Sequence, residues 1–436
     1  MTDCTGRLFE FPVCKKRKVE AEFNGGDVTS DGGILLLRQV DRLLGLSAQV
    51  SRGLKDSRDP AKWTHTTTDV VRQRLFGLAL GYEDLNDHQT LRHDPGFQTG
   101  VDRDQDLAGS STLCRFENAA DREIFWSIHN VMVDQFIASH KSPPKELILD
   151  FDATDDPVHG KQDGRFFHGY YDSYCFLPLY VFCGDQPLVS YLRPSNIDAM
   201  KHSGALLKWL VKRLRKAWPD VRIIFRADSG FCRHWLLGWC ERRDIGYIVG
   251  IARNARLQRF FKPVTNKAAS QFEETEIKQR LFGEIQYAAG PWKQERRVII
   301  RAEHSKRGAN PRFVVTNLEG DAEELYDRVY CARGEMENRI KEQFHLFSDR
   351  TSCHNWWPNQ FRMFMSTLAY MLLEAIRRLG LRGTEMARAQ CETIRLKLLK
   401  IGAVILRNTR RVRFLLSSAY PYQNQFAMVY DRLNPG

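Results

Sequence analysis

The sequence predicts an α/β core with an antiparallel β insertion, set between N- and C-terminal helical regions. Three observations carry this. Apolar residues recur at helical spacing through roughly the first 140 positions. A break at "SPPKE" (142–146) is followed by short β-branched and apolar runs that alternate with amphipathic helices. From 355 onward the pattern predicts helix again, strongly basic.

The elements follow in order. "FNGGDVTSDGG" (23–33) is a turn-rich entry to an apolar helix, "ILLLRQVDRLLGL". In "THTTTDVVRQRLFGLALGY", Val70, Val71, Leu75, Leu78 and Ala79 share one helical face, and Gly81 suits the stop. "GSSTLCRFENAADREIFWSIHNVMVDQFIASH" reads as a further helix pair. Past the break, "LILDFDATD", "YCFLPLYVFCG" and "QPLVSYLRP" are three strands able to form a meander. "DAMKHSGALLKWLVKRLRKAWP" is an amphipathic helix, "VRIIFRADSGF" a strand, "RHWLLGWCERR" a helix and "IGYIVGIA" a strand. Three strands, then helix, strand, helix, strand is the ribonuclease-H-like pattern. Residues 252–320 interrupt it with "QRLFGEIQYAA", "RRVIIRAEH" and "RFVVTNL", a mainly antiparallel insertion. "DAEELYDRVYCARGEMENRIKEQFHLF" closes the unit as a helix with acidic residues in its first turn. "NWWPNQ" (355–360) reads as a packed, capped helix start.

A chain of 436 residues predicts two or three domains. No apolar run has the length of a membrane span, and the first twenty residues lack a secretory signal's apolar stretch. "KKRK" (15–18) reads as a solvated arm or a phosphate contact rather than a targeting signal. The ten cysteines match no zinc-ligand spacing and read as thiols of a reducing cytosol. The formal net charge is +12, and residues 371–436 hold twelve Lys/Arg against four Asp/Glu. So concentrated a surplus points to a polyanionic partner, though a basic helical domain without one has the same composition.

Three acidic stretches stand out. In "LILDFDATDD", Leu147, Leu149 and Phe151 face one way on a strand, while Ile148, Asp150 and Asp152 face the other. An aspartate in such a run needs a cation, a metal or a turn to bond, and Thr154 offers the last. Asp228 directly follows the strand "VRIIFRA", at the carboxyl end where α/β sheets gather ligands; it could equally cap the next helical turn. Glu337 lies on one helical stripe with Arg333 and Lys341, which by itself describes a solvated ion-pair ladder. Together the three carboxylates fall on the first strand, at the end of the fourth strand and on the closing helix. That arrangement can hold two divalent metals, and oxygen ligands suit Mg²⁺ or Mn²⁺.

At "LDFDATDDPVHGKQ", "FRADSGF", "YCARGEMENRIKE" and "NWWPNQFRMFMSTLAYMLLE" the chain resembles bacterial insertion-sequence transposases of the DDE type, and most closely family 1380 of the insertion sequences. "DVTSDGG", "GYEDLNDHQTLRHDP" and "STLCRFEN" resemble that family's helical N-terminal region, so seven pieces match in order over nearly the whole chain. The resemblance implies a ribonuclease-H-like catalytic core with a β-rich insertion, and Asp152, Asp228 and Glu337 as the catalytic, metal-holding residues. A related signature runs Tyr, two spacers, Arg, three spacers, Glu, six spacers, Lys. Tyr330, Arg333 and Glu337 match it; Phe344 stands at the lysine position, and Lys341, one turn earlier, would take over the phosphate contact. Arg333 and Tyr330 would grip a phosphate beside the scissile bond. Trp292 in "GPWKQERR" is a candidate to stack on an extruded base, or else a tryptophan packed beside a turn.

The resemblance further implies residues 1–142 as a mostly helical DNA-binding region, 143–346 as the catalytic domain and 347–436 as a basic helical region. Its partners would be terminal inverted repeats and target DNA, with two Mg²⁺ (or Mn²⁺), a homodimer joining two ends, and a cytoplasmic, nucleoid-associated location. Two other readings share these residues: a ribonuclease-H-like nuclease without strand transfer, and a DNA-binding protein that has lost catalysis. Asp150, Asp155 and Asp156 are alternative carboxylates, and His159 and His168 lie just past the first strand, within possible reach of a metal.

Overall fold

A computed structural model describes residues 6–56 and 63–434, and the chain divides into two compact units. One gathers the chain up to Ile124, the short piece His345–Phe347 and everything from Leu368 onward; the other holds Phe125–Phe344 and Ser348–Thr367. No helix among the described residues is long and apolar enough to cross a membrane.

The second unit is built on one mixed sheet. Its first strand is β1 (Glu146–Ala153), followed by the hairpin β2 (Leu179–Cys183) and β3 (Gln186–Tyr191). Then come helix α1 (Ser203–Ala217), β4 (Arg222–Ala227), α2 (His234–Glu241) and β5 (Gly246–Ile251). Helix α3 (Lys262–Thr275) leads to β6 (Gln279–Tyr287), β7 (Arg296–Ser305) and β8 (Arg312–Thr316). The strands lie side by side in the order β6-β7-β8-β5-β4-β1-β2-β3. β1, β4 and β5 are parallel neighbours, and every other pairing among the eight is antiparallel.

Period-two patterning sets the two faces. Leu147, Leu149 and Phe151 of β1 enter one core with Leu206, Leu210 and Leu214 of α1 and Leu236 and Leu237 of α2. Each such fully buried side chain contributes roughly 1.5–3 kcal/mol of apolar burial. Ile224, Ile248 and Val314 face the other way and are covered by Leu325 and Tyr326, with Ile148 beside them. The sheet is thus enclosed on both faces, which is why β1, β4 and β5 read as nearly continuous apolar runs.

The segment 322–344 covers that second face, but not as one straight helix. A wide turn over Leu325–Tyr330 and a tight one over Cys331–Arg333 precede the regular helix α4 (Gly334–Phe344). The insertion also differs from expectation. Residues 255–275 form two helices, Ala255–Phe260 and α3, while its strands pair antiparallel and extend the central sheet through β5. Among the side chains of α3 only Ala268 is buried, so no apolar stripe announces the helix in the sequence.

In the first unit, helix Thr67–Leu80 opens on a capping box between Thr66 and Asp69 and stops at Gly81, whose φ of 95° requires glycine. Both ends of the chain meet here. Val28–Thr29 pairs with Ala403–Val404, and Lys400 bridges to the buried Asp31 at 2.7 Å. One expectation of continuous helix fails, and the basic arm takes a definite form. Residues 403–416 form a β-hairpin, Ala403–Asn408 with Arg411–Leu416, and "KKRK" lies at the turn of an exposed hairpin, Phe9–Cys14 with Arg17–Ala21. Alternation explains the first: Ala403 and Ile405 are buried while Val404 and Leu406 are exposed, the period of a strand.

His129, in the second unit, gives the fold an acid limit. Its Nδ1 lies 2.8 Å from the Phe125 carbonyl and its Nε2 accepts the Ser190 backbone N–H at 3.1 Å. Burial lowers its pKa from 6.5 to about 3. The unfolded chain therefore takes up a proton that the native state refuses, and stability falls as pH drops below 6.5. Going from pH 7 to pH 5 is expected to cost on the order of 2 kcal/mol through this residue. Urea midpoints at the two pH values, in wild type and in His129→Gln, measure it; the variant should lose that part of the acid sensitivity.

Candidate active site

β1 and β4 bring two aspartates together by register alone. The strands are parallel, with Asp150 opposite Arg226 and Phe151 opposite Ala227. One residue further, Asp152 and Asp228 stand on adjacent strands at their carboxyl ends, where strand axes are about 4.8 Å apart. Asp152 keeps one oxygen on the Ala153 backbone N–H at 3.0 Å, and Thr154 plays no part in holding it. Asp228 does cap the turn that follows, with Oδ1 accepting the Gly230 N–H at 2.9 Å. A single bond to one oxygen leaves its carboxylate with acceptor capacity to spare.

Helix α4 supplies the third carboxylate. Arg333, just before it, donates to Asp152 Oδ2 at 3.0 Å and to Glu337 Oε1 at 2.7 Å. The Arg333–Glu337 pair of the predicted ladder is therefore real, yet its arginine points into the sheet end, only 18% exposed, while Glu337 is 47% exposed. Lys341 is exposed on the next turn. Burial opposes the Arg333 charge, but Asp152, Glu337, Tyr330 and Asp228 together hold its pKa above the ordinary value. The Asp152 pKa is raised as well, which for a carboxyl disfavours the charge. Burial, then the charges of Asp228 and Glu337, raise it to about 7 against the pull of Arg333.

Tyr330 adjoins this group. A methyl at Gly250 of β5 would stand 2.7 Å from the Tyr330 hydroxyl, 2.8 Å from the Ser229 nitrogen and 3.2 Å from the Asp228 carbonyl carbon. The bare glycine thus lets the tyrosine and the Asp228 turn close on β5. Burial pushes the Tyr330 phenol up to about 12, so it remains a hydrogen-bond donor at neutral pH.

Two of the three alternative carboxylates, Asp150 and Asp156, are engaged elsewhere. Asp150 forms a two-pronged ion pair with Arg226, one prong at 2.6 Å, and both side chains are buried. Arg226 also donates to the Val329 carbonyl, in the wide turn ahead of α4. Asp150 is thereby committed to clamping β1, β4 and the closing segment. Asp156 accepts from Thr351 at 2.9 Å, and burial raises its pKa well above the ordinary value. His159 is exposed, and His168 lies against Tyr171 at 4.9 Å. Trp292 is half-buried, edge-on to Tyr287 at 5.7 Å and covered by the Arg296 guanidinium at 5.1 Å, the geometry of a packed residue. Trp356 likewise packs, edge-on to Phe176 at 5.3 Å.

Among the described residues no three His, Cys, Asp or Glu side chains are drawn tightly enough to close on one metal ion. The guanidinium of Arg333 stands between two of the three carboxylates. The donor set itself fits a hard divalent cation: oxygen ligands only, with a buried member whose like-charged neighbours leave it short of positive charge.

A comparison with curated proteins finds no match. Among solved structures, the chain is similar to the piggyBac transposase in a synaptic complex with hairpin DNA, at 12% identity and a TM-score of 0.42, covering 84% of this chain and 79% of that one. The model of the family described as Transposase DDE domain group 1 matches residues 11–435, and the chain belongs to that family of DDE transposases.

Proposed function

We propose that the protein is an active insertion-sequence transposase of family 1380 that binds the ends of its element, cleaves them and joins 3′ ends to target DNA. Asp152, Asp228 and Glu337 are its catalytic carboxylates. The observation that carries this reading is the convergence of Asp152 and Asp228 by strand register, with Arg333 bonding both Asp152, 181 residues earlier in the sequence, and Glu337, one helical turn on. The strand order β3-β2-β1-β4-β5 supports a ribonuclease-H-like core, with residues 252–320 as its insertion.

The three carboxylates would hold Mg²⁺ or Mn²⁺, which when bound activates a water or a 3′-hydroxyl and stabilises the leaving oxygen. The chain's own groups do the rest. Arg333 presents a planar fork of donors to a phosphate, and Tyr330 adds a hydroxyl donor from the wall beside Asp228. Lys341 offers a mobile charge one turn along α4. Arg410, Arg411 and Arg413, all at least partly exposed on the hairpin 403–416, supply the sequence-independent grip on a duplex backbone. A homodimer holding two ends follows from the reaction.

Purified protein incubated with Mg²⁺ and DNA carrying the inverted repeats that flank its gene should give nicks at the repeat ends and joined products in a second DNA. Nicks without joined products would leave a nuclease. Undiminished nicking by Asp228→Ala would overturn the assignment. Gly250→Ala tests the packing behind it. The added methyl meets the Ser229 backbone at 2.8 Å, so the Asp228 turn must shift. A fall in cleavage of about 10²-fold is expected for a displacement near 1 Å, with only about 1–3 kcal/mol of stability lost. Rates from gel-resolved cleavage, set beside a denaturation curve, check both.

A further inference from the structure

Between β1 and β2 the chain makes a small hairpin, Phe166–His168 against Ser173–Phe176, whose surface is aromatic. Phe167 is 53% exposed, Tyr174 51% and Tyr170 85%. Phe167 and Tyr174 are cross-strand partners, edge-on at 5.6 Å. Tyr170 stands edge-on to Tyr171 at 5.0 Å, and the Arg165 guanidinium lies over the Tyr174 ring at 4.7 Å. An exposed cluster of rings in so polar a setting calls for an occupant.

The base of the hairpin is fixed. Ser195 donates to the Phe166 carbonyl at 2.8 Å, and Val158 donates its N–H to the Tyr174 carbonyl at 2.9 Å. Ser173–Phe176 pairs with Asp156–Pro157, which follows Asp152 by four residues, Asp156 lying opposite Phe176 and Pro157 opposite Cys175. The hairpin is thus anchored to the segment that leaves Asp152, with its tip exposed.

We propose that this hairpin is a stacking platform for unpaired nucleobases at the DNA end being processed, with Tyr170 and the Phe167–Tyr174 pair as the contact surface. Arg333, Tyr330 and Lys341 address the phosphates of a strand at the site, and unpaired bases there need a separate surface. Aromatic rings offer it, because every base presents a π surface to an aromatic ring whatever the sequence. Arg165 adds a cation beside the rings, suited to the backbone of the stacked strand. The proposal rests on the transposase reading for its substrate, DNA.

The test compares binding of the full-length protein, in EDTA, to a blunt duplex and to the same duplex with two unpaired terminal nucleotides, one of them 2-aminopurine. Wild type should prefer the forked end by ~10-fold for each stacked base and quench the aminopurine. In Tyr170→Ala, and more so in Phe167→Ala/Tyr170→Ala, the forked-to-blunt ratio should collapse toward one and the quench should vanish. Tyr170→Trp should keep both. Equal binding of the two ends by wild type, or an unchanged ratio in the alanine variants, would overturn the proposal. No cleavage is read, so this outcome is separate from that of the Asp228→Ala experiment.

Discussion

Asp152→Asn is expected to make the metal-free protein more stable while removing its cleavage of DNA. In the native state the Asp152 carboxyl is raised to about 7, first by burial and then by Asp228 and Glu337. A carboxyl raised above its unfolded value resists ionisation in the folded protein. Stability is therefore lost as pH rises from about 4 to 7, and the full cost persists above that. Asparagine, of the same shape and without charge, lifts that cost but weakens the bond to Arg333. The net gain at pH 8 is expected to be about 1–3 kcal/mol, shrinking as pH falls through 5. Cleavage should fall by on the order of 10³-fold or more, as removal of a metal ligand forfeits several kcal/mol of charge stabilisation. Differential scanning in EDTA at pH 8 and pH 5, beside single-turnover cleavage, reads both arms. A variant less stable than wild type at pH 8 would contradict the electrostatic account. A gain in stability bought by loss of function marks a site held under strain for its chemistry.

Two residues earlier on the same strand, the expectation reverses. Asp150→Ala should cost about 3–5 kcal/mol, since Arg226 would be left buried without its counter-charge. Arg226 is 6% exposed and spans Asp150 on β1 and the Val329 carbonyl in the turn before α4, so the loss spreads to the segment that presents Arg333 and Glu337. Pairing the change with an apolar partner, Asp150→Leu/Arg226→Met, removes both charges and should recover most of the stability. Denaturant midpoints for the single and double variants decide the matter; an Asp150→Ala protein as stable as wild type would show the clamp to be dispensable.

That contrast shows where sequence reading reaches and where it stops. Alternation in "LILDFDATD" put Asp150 and Asp152 on one face, and they are on one face. What separates their roles is the neighbouring strand. In register, Asp150 meets Arg226, 76 residues away, and Asp152 and Asp228 each come one residue after the last pair, Phe151 with Ala227. The repeat of Asp-x-Asp against Arg-x-Asp was present in the sequence as "LDFD" and "FRAD", but it acquires meaning only once the two strands are known to be adjacent and parallel. The helix stop at Gly81 was legible because its cause is local, a left-handed cap. The hairpin 403–416 was not, because its arginines resemble those of a basic helix and its third strand, Val28–Thr29, comes from the other end of the chain. The aromatic hairpin 166–176 was likewise unread: "FFHGYYDSYCF" shows its rings, but not that they stay exposed.

The most direct test of the shared carboxylate site is a count of Mn²⁺ bound per chain, by electron paramagnetic resonance, in the complex with end-bearing DNA. Wild type should hold two tightly bound ions, and Asp152→Asn, Asp228→Asn and Glu337→Gln should each lose at least one. Identical Mn²⁺ binding by wild type and by the three variants would contradict the account.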